Sequence, residues 1–593
     1  MKFGAEILIG AVRFRLWAPK IREVLVVLNG GPPLSMNRTA QGWHELVCPD
    51  CPAGTRYKFQ LEPGGSEVPD PASRYQPSDV HGPSEVIDPH RYAWLDGDWR
   101  GRPWEECVLY ELHIGTFTTE GTFLGAIERL DSLAHLGVTA IEIMPVADFP
   151  GQRNWGYDGV MLFAPDSSYG RPDDFKALID AAHARGIMVL LDVVYNHFGP
   201  DGNYLPSYSP VFTERHHTPW GAAVNFDSDG SQVVREFVIE NARYWIEEFH
   251  LDGLRLDAVH AIKDDSTVHV LEEMSAVIRQ LPIDRRVHLI LENEENEASR
   301  LERNDRGEAT RYTAQWNDDL HHALHCAASG ESSGYYGSYA GDTDRLGKAL
   351  AEGFAYQGDF MAYRGSARGQ PSSHLPPTAF VSFLQNHDQV GNRAFGDRIT
   401  AVAPEPAVRA IASIYLLLPQ IPMLFMGEEF GADQPFPFFC DFEPGLAKSV
   451  REGRRAEFAR FPEFQDPARR EMIPDPTSEQ TFLSAKLDWE RAAQGAHADW
   501  FRLYQALLAV RHREIVPLLK SASSGRYQVL KKGAVSVLWQ MGGGTQLHLI
   551  ANLAPEPLTH FMAQAGRRIW PAQIQKDFSI AAWGVLWSII ADE

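Results

Sequence analysis

The most restrictive feature of this sequence is a regular alternation, from Val108 to Glu429, of short apolar runs and longer amphipathic segments. The runs are rich in Leu, Ile, Val and Phe, as buried parallel strands are, and the segments between them repeat apolar residues at helical spacing. Eight such runs predict a closed (β/α)8 barrel of the α/β class. They are VLYELHIGTF (108–117), TAIEIMPV (139–146), IMVLLDVVYNH (187–197), LDGLRLDAVH (251–260), VHLILEN (287–293), RYTAQWN (311–317), FVSFLQNHD (380–388) and IPMLFMGEE (421–429).

An open, doubly wound sheet is the alternative interpretation of the same alternation. A nucleotide-binding sheet of that kind would carry a G-x-G-x-x-G turn after its first strand. No such turn follows the run that begins at Val108. The barrel is therefore the favoured fold.

Shorter alternating runs at both ends of the chain predict two further β domains. Residues 5–60 alternate apolar and polar positions between Gly, Pro, Asn and Asp turns, and a Pro- and Ser-rich linker follows to about Trp104. Beyond a last helical segment, 500–519, short alternating runs return. We predict an N-terminal β-sandwich over residues 1–95, the barrel with its loop insertions over 96–521, and a C-terminal antiparallel β domain over 522–593.

The strong negative charge excludes several classes of partner. The formal net charge is −23, and no Lys/Arg run reverses it locally, so nucleic acid is not an expected partner. No apolar stretch reaches the roughly 18–20 residues that cross a bilayer, so no membrane partner is expected. The five cysteines are too few for a secreted disulfide framework, and no cleavable leader is recognisable at the N-terminus. These features predict a cytoplasmic protein.

Three carboxylates, Asp257, Glu292 and Asp388, stand where apolar runs end and loops begin. Barrel enzymes place their chemistry at these strand ends. Cleavage of a glycosidic bond needs one carboxylic acid to protonate the leaving oxygen and one carboxylate to attack or to activate water. A single acid at a strand end can equally be a solvated or helix-capping residue. Arg255, two positions before Asp257 on the same strand face, favours the catalytic interpretation because it would keep Asp257 ionised.

The segments DVVYNH (192–197), GLRLDAVH (253–260), the strand end at Glu292 and FLQNHD (383–388) resemble, in order, the four signature regions of the α-amylase superfamily of glycoside hydrolases. Further segments resemble its trehalose-releasing members, which hydrolyse the α-1,4 bond next to the terminal trehalose of a maltooligosyltrehalose. These are NWGYDGV (154–160), YNHFGPDGNYL (195–205), TPWGAAVNFD (218–227), QWNDDLHHALH (315–325) and NHDQVGNR (386–393).

The resemblance implies a role for each matching residue. Asp257 would be the nucleophile, Glu292 the general acid and base, and Asp388 the residue that stabilises the distorted sugar. The residues implied around the sugar in the cleavage subsite are Tyr157, Asp158, Asp192, Asn196, His197, Arg255 and His387. Those implied on the aglycone side are His260, Asp319, His322 and Gln389, whereas His321 and His325 can equally be histidines on the surface of a helix.

One local ambiguity concerns the run LENEEN, which offers Glu292, Glu294 and Glu295. Glu292 comes first after the apolar run and matches the superfamily position, so the other two are interpreted as a solvated acidic loop. To act as an acid near neutrality Glu292 needs a raised pKa, which the charge of Asp257 would provide. A retaining mechanism predicts that the two carboxyl groups lie about 5–5.5 Å apart.

The mechanism requires no cofactor, and no metal site is predicted, because His216 and His217 lack carboxylates at matching spacing. The polar segment from Asn317 to Pro376 is too long for an ordinary barrel connection and is expected to carry substrate contacts or a lid. A glycogen branching or debranching enzyme is the alternative function, since those enzymes have a motif similar to LFMGEE (424–429). A catalytically inactive glycan-binding protein is a third, although it should have lost one of the three carboxylates.

Overall fold

The eight predicted parallel strands close into a barrel in the computed structural model, which describes residues 1–457, 465–559, 566–570 and 579–591. Side chains on every barrel strand are buried, as expected for strands covered on both faces. The predicted (β/α)8 fold is confirmed. The strands, in both chain and barrel order, are Leu109–Leu112, Ala140–Ile143, Met188–Val193, Gly253–Leu256, His288–Leu291, Ala314–Trp316, Phe380–Phe383 and Ile421–Phe425.

Strand register brings the polar side chains of the barrel interior together. In the third and fourth strands Asp192 pairs with Arg255, and in the first and second Glu111 pairs with Glu142. Side chains at equivalent heights on neighbouring parallel strands lie side by side. A layer of ionisable side chains therefore lies in the barrel interior, beneath the carboxyl ends of the strands.

Amphipathic helices cover the outside of the barrel. Gly137 ends one of them with a left-handed φ of 105°, which glycine adopts without strain. The longer helices are Leu130–Leu136, Pro172–His183, Ser231–Glu248, Val270–Arg279, Asp318–Ser329, Thr343–Glu352, Glu405–Tyr415, Pro444–Glu457 and Gly495–Val510. The shorter α-helices are Ile114–Phe117, Phe123–Ile127, Leu205–Tyr208, His387–Gly391, Ile399–Val402, Pro467–Met472 and Glu479–Ser484. None of the helices in the described ranges has the length and apolar character needed to cross a membrane.

The N-terminal residues form two antiparallel sheets. In Ala11–Trp17 the buried Val12, Phe14 and Leu16 alternate with more exposed residues, so one face of the strand packs inward. One sheet contains, in order, Glu6–Leu8, Ala11–Trp17, Trp43–Pro49 and Asn37–Arg38. The other contains Leu34–Ser35, Val24–Leu28, Arg56–Leu61 and Glu67–Val68, and Ser84–Glu85 also pairs with Arg56–Leu61.

After the barrel the chain forms a five-stranded antiparallel sheet, as predicted. Its strands, in spatial order, are Gly525–Lys531, Ala534–Gln540, Thr545–Asn552, Gly584–Ala591 and Arg567–Trp570. The domain boundaries at residues 95/96 and 521/522 stay predictions. Three hairpins lie within the barrel loops: Ala147–Asp148 with Met161–Pro165, Phe212–Thr218 with Gly221–Val224, and Asp359–Met361 with Ser366–Arg368.

A buried histidine fastens the linker before the barrel to the end of the barrel opposite the strand-end carboxylates. The Nδ1 of His183 lies 2.9 Å from Asp96, and its Nε2 lies 2.9 Å from Asp252. Trp99 stacks on the ring and donates a hydrogen bond to Asp252. Burial alone would lower the pKa of His183, but the two carboxylates raise it above its ordinary value. Both ring nitrogens face acceptors, so the contact is strongest with the imidazolium.

This geometry predicts a pH-dependent contribution to stability. Because the pKa of His183 is raised on folding, its stabilisation is complete below the unfolded pKa of about 6.5 and is lost as the pH rises through the folded value. His183→Gln should lower the free energy of unfolding by about 3 kcal/mol at the acidic end. The difference from wild type should shrink as the pH rises, in unfolding experiments from about pH 6 to about pH 9. His90→Gln, at an exposed position of the same linker, is the control. A difference that does not change with pH would contradict the assignment.

Candidate active site

The three predicted catalytic carboxylates lie at the carboxyl ends of barrel strands. Asp257 directly follows the fourth strand, Gly253–Leu256, and Glu292 directly follows the fifth, His288–Leu291. Asp388 lies in the first turn of the short helix His387–Gly391, after the seventh strand. All strands of the barrel are parallel, so these ends open on one side of the molecule.

Arg255 joins the carboxylates. Its guanidinium is buried at the end of the fourth strand, and one of its nitrogens donates to both oxygens of Asp192, at 2.8 and 2.7 Å. The same nitrogen donates to Asp257 Oδ1 at 2.9 Å, and the second lies 2.9 Å from Glu292 Oε2. The guanidinium also lies over the Trp316 ring, 4.1 Å from its centre. One cation thus contacts three carboxyl groups.

Asp257 is held in the ionised state. Burial alone would raise the pKa of Asp257, but Arg255, His197 and a hydrogen bond from Asn196 together lower it. The amide of Asn196 donates to Asp257 Oδ2 at 2.8 Å. The environment therefore supports an anionic nucleophile.

The pKa of Glu292 is shifted in the opposite direction to that of Asp257. Burial raises the pKa of Glu292 well above its ordinary value, and the charges of Asp257, Asp388 and Asp318 raise it further against the effect of Arg255. The backbone N–H of Ala258 donates to Glu292 Oε2 at 2.8 Å. Ala258 adopts a φ of 39°, a conformation that is strained for a residue with a Cβ. The N–H group that donates to Glu292 thus belongs to the residue directly after Asp257, at a strained backbone position.

The floor of the mouth, the opening at the carboxyl ends of the barrel strands, is formed by Tyr157, Asp192 and His387. The Tyr157 hydroxyl donates to Asp192 at 2.6 Å, and its ring stacks on His387 with 5.0 Å between centres. Burial raises the pKa of Asp192 to about 6, although Arg255 lowers it. His387 contacts Glu111 of the first strand, which raises the pKa of this histidine against the effect of burial. Glu111 was not predicted, because its pairing partner lies 276 residues away.

His197 contacts both Tyr157 on the floor of the mouth and the hairpin at its entrance. Its Nε2 lies 2.9 Å from the backbone oxygen of Tyr157, and its Nδ1 lies against the amide oxygen of Asn196. Trp220, at the tip of the hairpin Phe212–Thr218 and Gly221–Val224, stacks on the His197 ring with 4.5 Å between centres. Trp220 is 53 % exposed, so an apolar face lies at the entrance. Trp220 was not predicted as a site residue, although its segment TPWGAAVNFD (218–227) resembles the trehalose-releasing enzymes.

Asp158, predicted next to Tyr157, lies on the same loop as that tyrosine. Its carboxylate accepts a hydrogen bond from Asn154 Nδ2 at 2.8 Å. Burial raises the pKa of Asp158, and the Asn154 hydrogen bond and His197 lower it in part. Direct contact of Asp158 with substrate stays a prediction.

Of the residues predicted on the aglycone side, His260 and Gln389 lie beside the catalytic groups. The backbone N–H of Glu294 donates to His260 Nδ1 at 3.3 Å, which connects the loops after the fourth and fifth strands. Gln389 follows Asp388 in the short helix and donates to Asp318 at 3.5 Å. Their contact with a sugar stays a prediction.

Asp319 lies beneath the mouth in a saturated hydrogen-bond network. Its buried carboxylate accepts hydrogen bonds at 2.5–3.0 Å from Tyr339, Arg368, Asn296 and the backbone N–H groups of Ala355 and Tyr356. These contacts join the helix Asp318–Ser329, the hairpin Asp359–Met361 and Ser366–Arg368, and the loop after the fifth strand. They indicate that Asp319 has a structural role, which was not predicted. Its contact with substrate stays a prediction.

Asp318, which the sequence analysis did not single out, is the member of the pair near the catalytic groups. Burial raises the pKa of Asp318 to about 7, with further contributions from Asp388 and Asp319 and an opposing one from Arg368. The charge of Asp318 in turn raises the pKa of Glu292. Neighbouring residues on a helix point about 100° apart, and the dipeptide alone does not tell which of the two faces the mouth.

The expectation that His321 and His325 can be surface histidines is wrong. Both are buried: His321 Nδ1 lies 2.6 Å from the backbone oxygen of Leu384, and His325 Nε2 lies 2.6 Å from Glu331. Tyr336, from the segment after this helix, stacks on His325 and covers the face. His322 lies between the Tyr335 and Tyr339 rings, and burial lowers its pKa well below the ordinary value.

His216, one of the two histidines for which no metal site was predicted, lies with two carboxylates. Its Nε2 is 2.7 Å from Asp227 and 3.6 Å from Asp265, which comes from a different loop. Ligand atoms of these three residues lie within 4.8 Å of one another. Arg215 pairs with Asp265 at 2.8 Å and lies 3.7 Å from Asp227, so a cation of the protein already faces both carboxylates.

Comparison with known families and structures gives this site its context. Residues 86–211 match the family model of the alpha amylase catalytic domain, and residues 522–586 match a domain of unknown function, DUF3459. A solved structure of a candidate alpha amylase from Salmonella typhimurium superimposes with a TM-score of 0.94, at 44% identity over 99% of both chains. A pullulanase from Paenibacillus barengoltzii shares the fold, with a TM-score of 0.71 at 20% identity over 100% of this chain and 94% of its own.

Named relatives match almost the whole chain. The malto-oligosyltrehalose trehalohydrolase of Saccharolobus solfataricus is 43% identical over 90% of this chain and 91% of its own length. The enzyme of that name from Deinococcus radiodurans is 42% identical over 94% of this chain and 90% of its own. A 1,4-alpha-glucan branching enzyme of Pseudoalteromonas atlantica matches only 43% of this chain and 39% of its own, at 34% identity. The chain belongs to the malto-oligosyltrehalose trehalohydrolase family, within the α-amylase type of glycoside hydrolases.

Proposed function

We propose that this protein hydrolyses the α-1,4-glucosidic bond next to the terminal trehalose unit of a maltooligosyltrehalose and releases trehalose with retention of configuration. The observation that carries the proposal is the pair of carboxyl groups on Arg255. Their surroundings shift the two pKa values in opposite directions, lowering that of Asp257 and raising that of Glu292, although both contact one guanidinium. The names of the relatives support trehalose release as the outcome of this chemistry.

In the first step Asp257 attacks the anomeric carbon of the glucose in the cleavage subsite. Glu292 gives its proton to the oxygen that leaves with the trehalose unit, so no alkoxide has to depart. The Asn196 amide and Arg255 hold the attacking carboxylate in place. A covalent glycosyl-enzyme remains.

In the second step Glu292, now ionised, takes a proton from water as the water attacks the anomeric carbon. Asp257 leaves, and the glucan chain departs with a new reducing end in the α configuration. Asp388 stabilises the ring as positive charge develops on it. Because Asp388 also raises the pKa of Glu292, it favours the return of the proton that starts the next cycle.

The substrate is an α-glucan, and the proposed specificity is for one that ends in trehalose. Tyr157, Asp192, His197 and His387 surround the position of the cleaved glucose, and the Trp220 face marks the entrance. No cofactor takes part in the proposed steps. The charge of −23 supports the further proposal that neither nucleic acid nor membrane is a partner. The small number of cysteines, five, supports the proposal that the enzyme works in the cytoplasm.

Product analysis tests the function directly. The purified protein should release trehalose and maltotriose from maltotriosyltrehalose and act only slowly on a plain maltooligosaccharide of similar length. Because the mechanism retains configuration, proton NMR should show the new reducing end of maltotriose first as the α anomer. Chain-length redistribution or new α-1,6 linkages would make this a branching-type transferase, and a β anomer would exclude the double displacement.

Single substitutions test the roles of the carboxylates. Glu292→Gln should lower kcat roughly 10²- to 10⁴-fold, since the amide cannot donate the proton. Asp257→Asn should lower it at least as much while the fold is retained. Glu295→Gln is the matched control from the same loop, because Glu295 is largely exposed and pairs with Arg364. Near-wild-type turnover in Glu292→Gln would exclude Glu292 as the acid.

The pH profile tests the charges around Glu292. As a general acid Glu292 must be protonated, so kcat/KM should fall on the alkaline side as the pH rises through its raised pKa. Asp318→Asn removes one of the charges that raise that pKa, and should move the alkaline limb to lower pH. Asp284→Asn, whose side chain is 93% exposed, should leave the profile unchanged. An alkaline limb that stays in place in Asp318→Asn would show that another group controls it.

A further inference from the structure

The helix Pro444–Glu457 lies outside the barrel but contacts the element that carries Asp388. Its Arg454 donates one hydrogen bond to Asn392 Oδ1, at 2.7 Å, and another to the backbone oxygen of Gly391, at 3.1 Å. The guanidinium also lies over the Phe438 ring, 4.5 Å from its centre. Gly391 and Asn392 end the short helix that begins at His387.

Asn392 in turn contacts the catalytic carboxylate. Its Nδ2 donates to Asp388 Oδ1 at 2.6 Å. Arginine can only donate, and an ionised carboxylate can only accept. The two partners therefore fix the orientation of the Asn392 amide, with its oxygen toward Arg454 and its nitrogen toward Asp388.

The opposite side of the short helix is fixed by packing. A Cβ at Gly391 would lie 1.9 Å from the Trp155 ring, so the indole occupies the space where a side chain would stand. Trp155 also packs edge-on against His387. The short helix thus lies between the indole of Trp155 and the guanidinium of Arg454. Of these two groups, the guanidinium is the one that bonds to the amide of Asn392.

We propose that Arg454 is a positioning residue for Asp388 and acts through Asn392. Without Arg454 the Asn392 oxygen loses its donor and the end of the short helix loses its bond at Gly391, so the amide holds the Asp388 carboxylate less firmly in the place where it meets the sugar. The inference rests on the proposed function, in which Asp388 stabilises the transition state. It predicts an effect on kcat rather than on KM, because that contact strengthens as charge develops on the ring.

A double-mutant cycle tests the relay. Arg454→Met keeps a long unbranched side chain but removes the donors, and should lower kcat roughly tenfold with little change in KM, as expected for a small misplacement of a catalytic group. Arg454→Lys, which retains a donor, should recover much of the loss. The Asn392→Ala, Arg454→Met double variant should lose far less than the sum of the two single losses, because Asn392→Ala already removes the amide that connects Arg454 to Asp388 and leaves Arg454 with its hydrogen bond to Gly391 in the short helix.

The matched control comes from the same helix. Arg451 is one turn away and pairs with Asp475, so Arg451→Met removes an arginine without touching the relay. It should leave kcat unchanged and shift the unfolding midpoint about as much as Arg454→Met. Additive losses in the cycle, or an equal loss of kcat in Arg451→Met, would overturn the inference. If wild type releases no trehalose the proposed function fails, whereas additivity in an active enzyme overturns the relay alone.

Discussion

The active site depends on one buried cation. Arg255 contacts Asp192, Asp257 and Glu292 inside the barrel, where an uncompensated carboxylate would be costly. One guanidinium cannot neutralise three carboxylates, so the three cannot all ionise together. The carboxyl groups share this compensation unequally: the pKa of Asp257 is lowered, whereas that of Glu292 is raised. The division of roles between nucleophile and acid thus follows from the charge balance around Arg255.

The same principle governs the acids below and beside the site. Glu111 is compensated by His387, but its neighbour across the strands, Glu142, has no carboxyl oxygen in good hydrogen-bonding geometry with a donor among the described residues. Burial raises the pKa of Glu142 well above its ordinary value, which favours its neutral form. Near the eighth strand, burial raises the pKa of Glu428 to about 7 and that of Glu429 to about 8, with tyrosine hydroxyls as their donors. The barrel tolerates this many interior acids because several of them carry a proton.

The sequence predicts what depends on local pattern. The eight apolar runs predict the barrel, and the position of an acid directly after such a run predicts Asp257 and Glu292 at the mouth. Contacts between distant segments have no local signal: Asp265 joins His216 from another loop, and the face with His321 and His325 is buried only because Tyr336 returns over it. Asp318 was not predicted for a related reason: which of Asp318 and Asp319 lies near Glu292 depends on the rotation of the helix against segments that come later in the chain. The substrate contact of Asp319 stays a prediction.

Asp319 anchors the long segment from Asn317 to Pro376, an insertion in the barrel, close to the loop that carries Glu292. Its carboxylate ties Arg368 of the insertion hairpin to the helix after the sixth strand, and Arg368 also donates to the backbone oxygen of Glu294, two residues beyond the catalytic acid. The insertion is therefore anchored to the loop of Glu292 at a buried point. Its outer residues, such as the exposed Phe360, lie beyond that anchor. Substitutions at these outer positions leave the contacts of Arg255 with the three carboxyl groups in place.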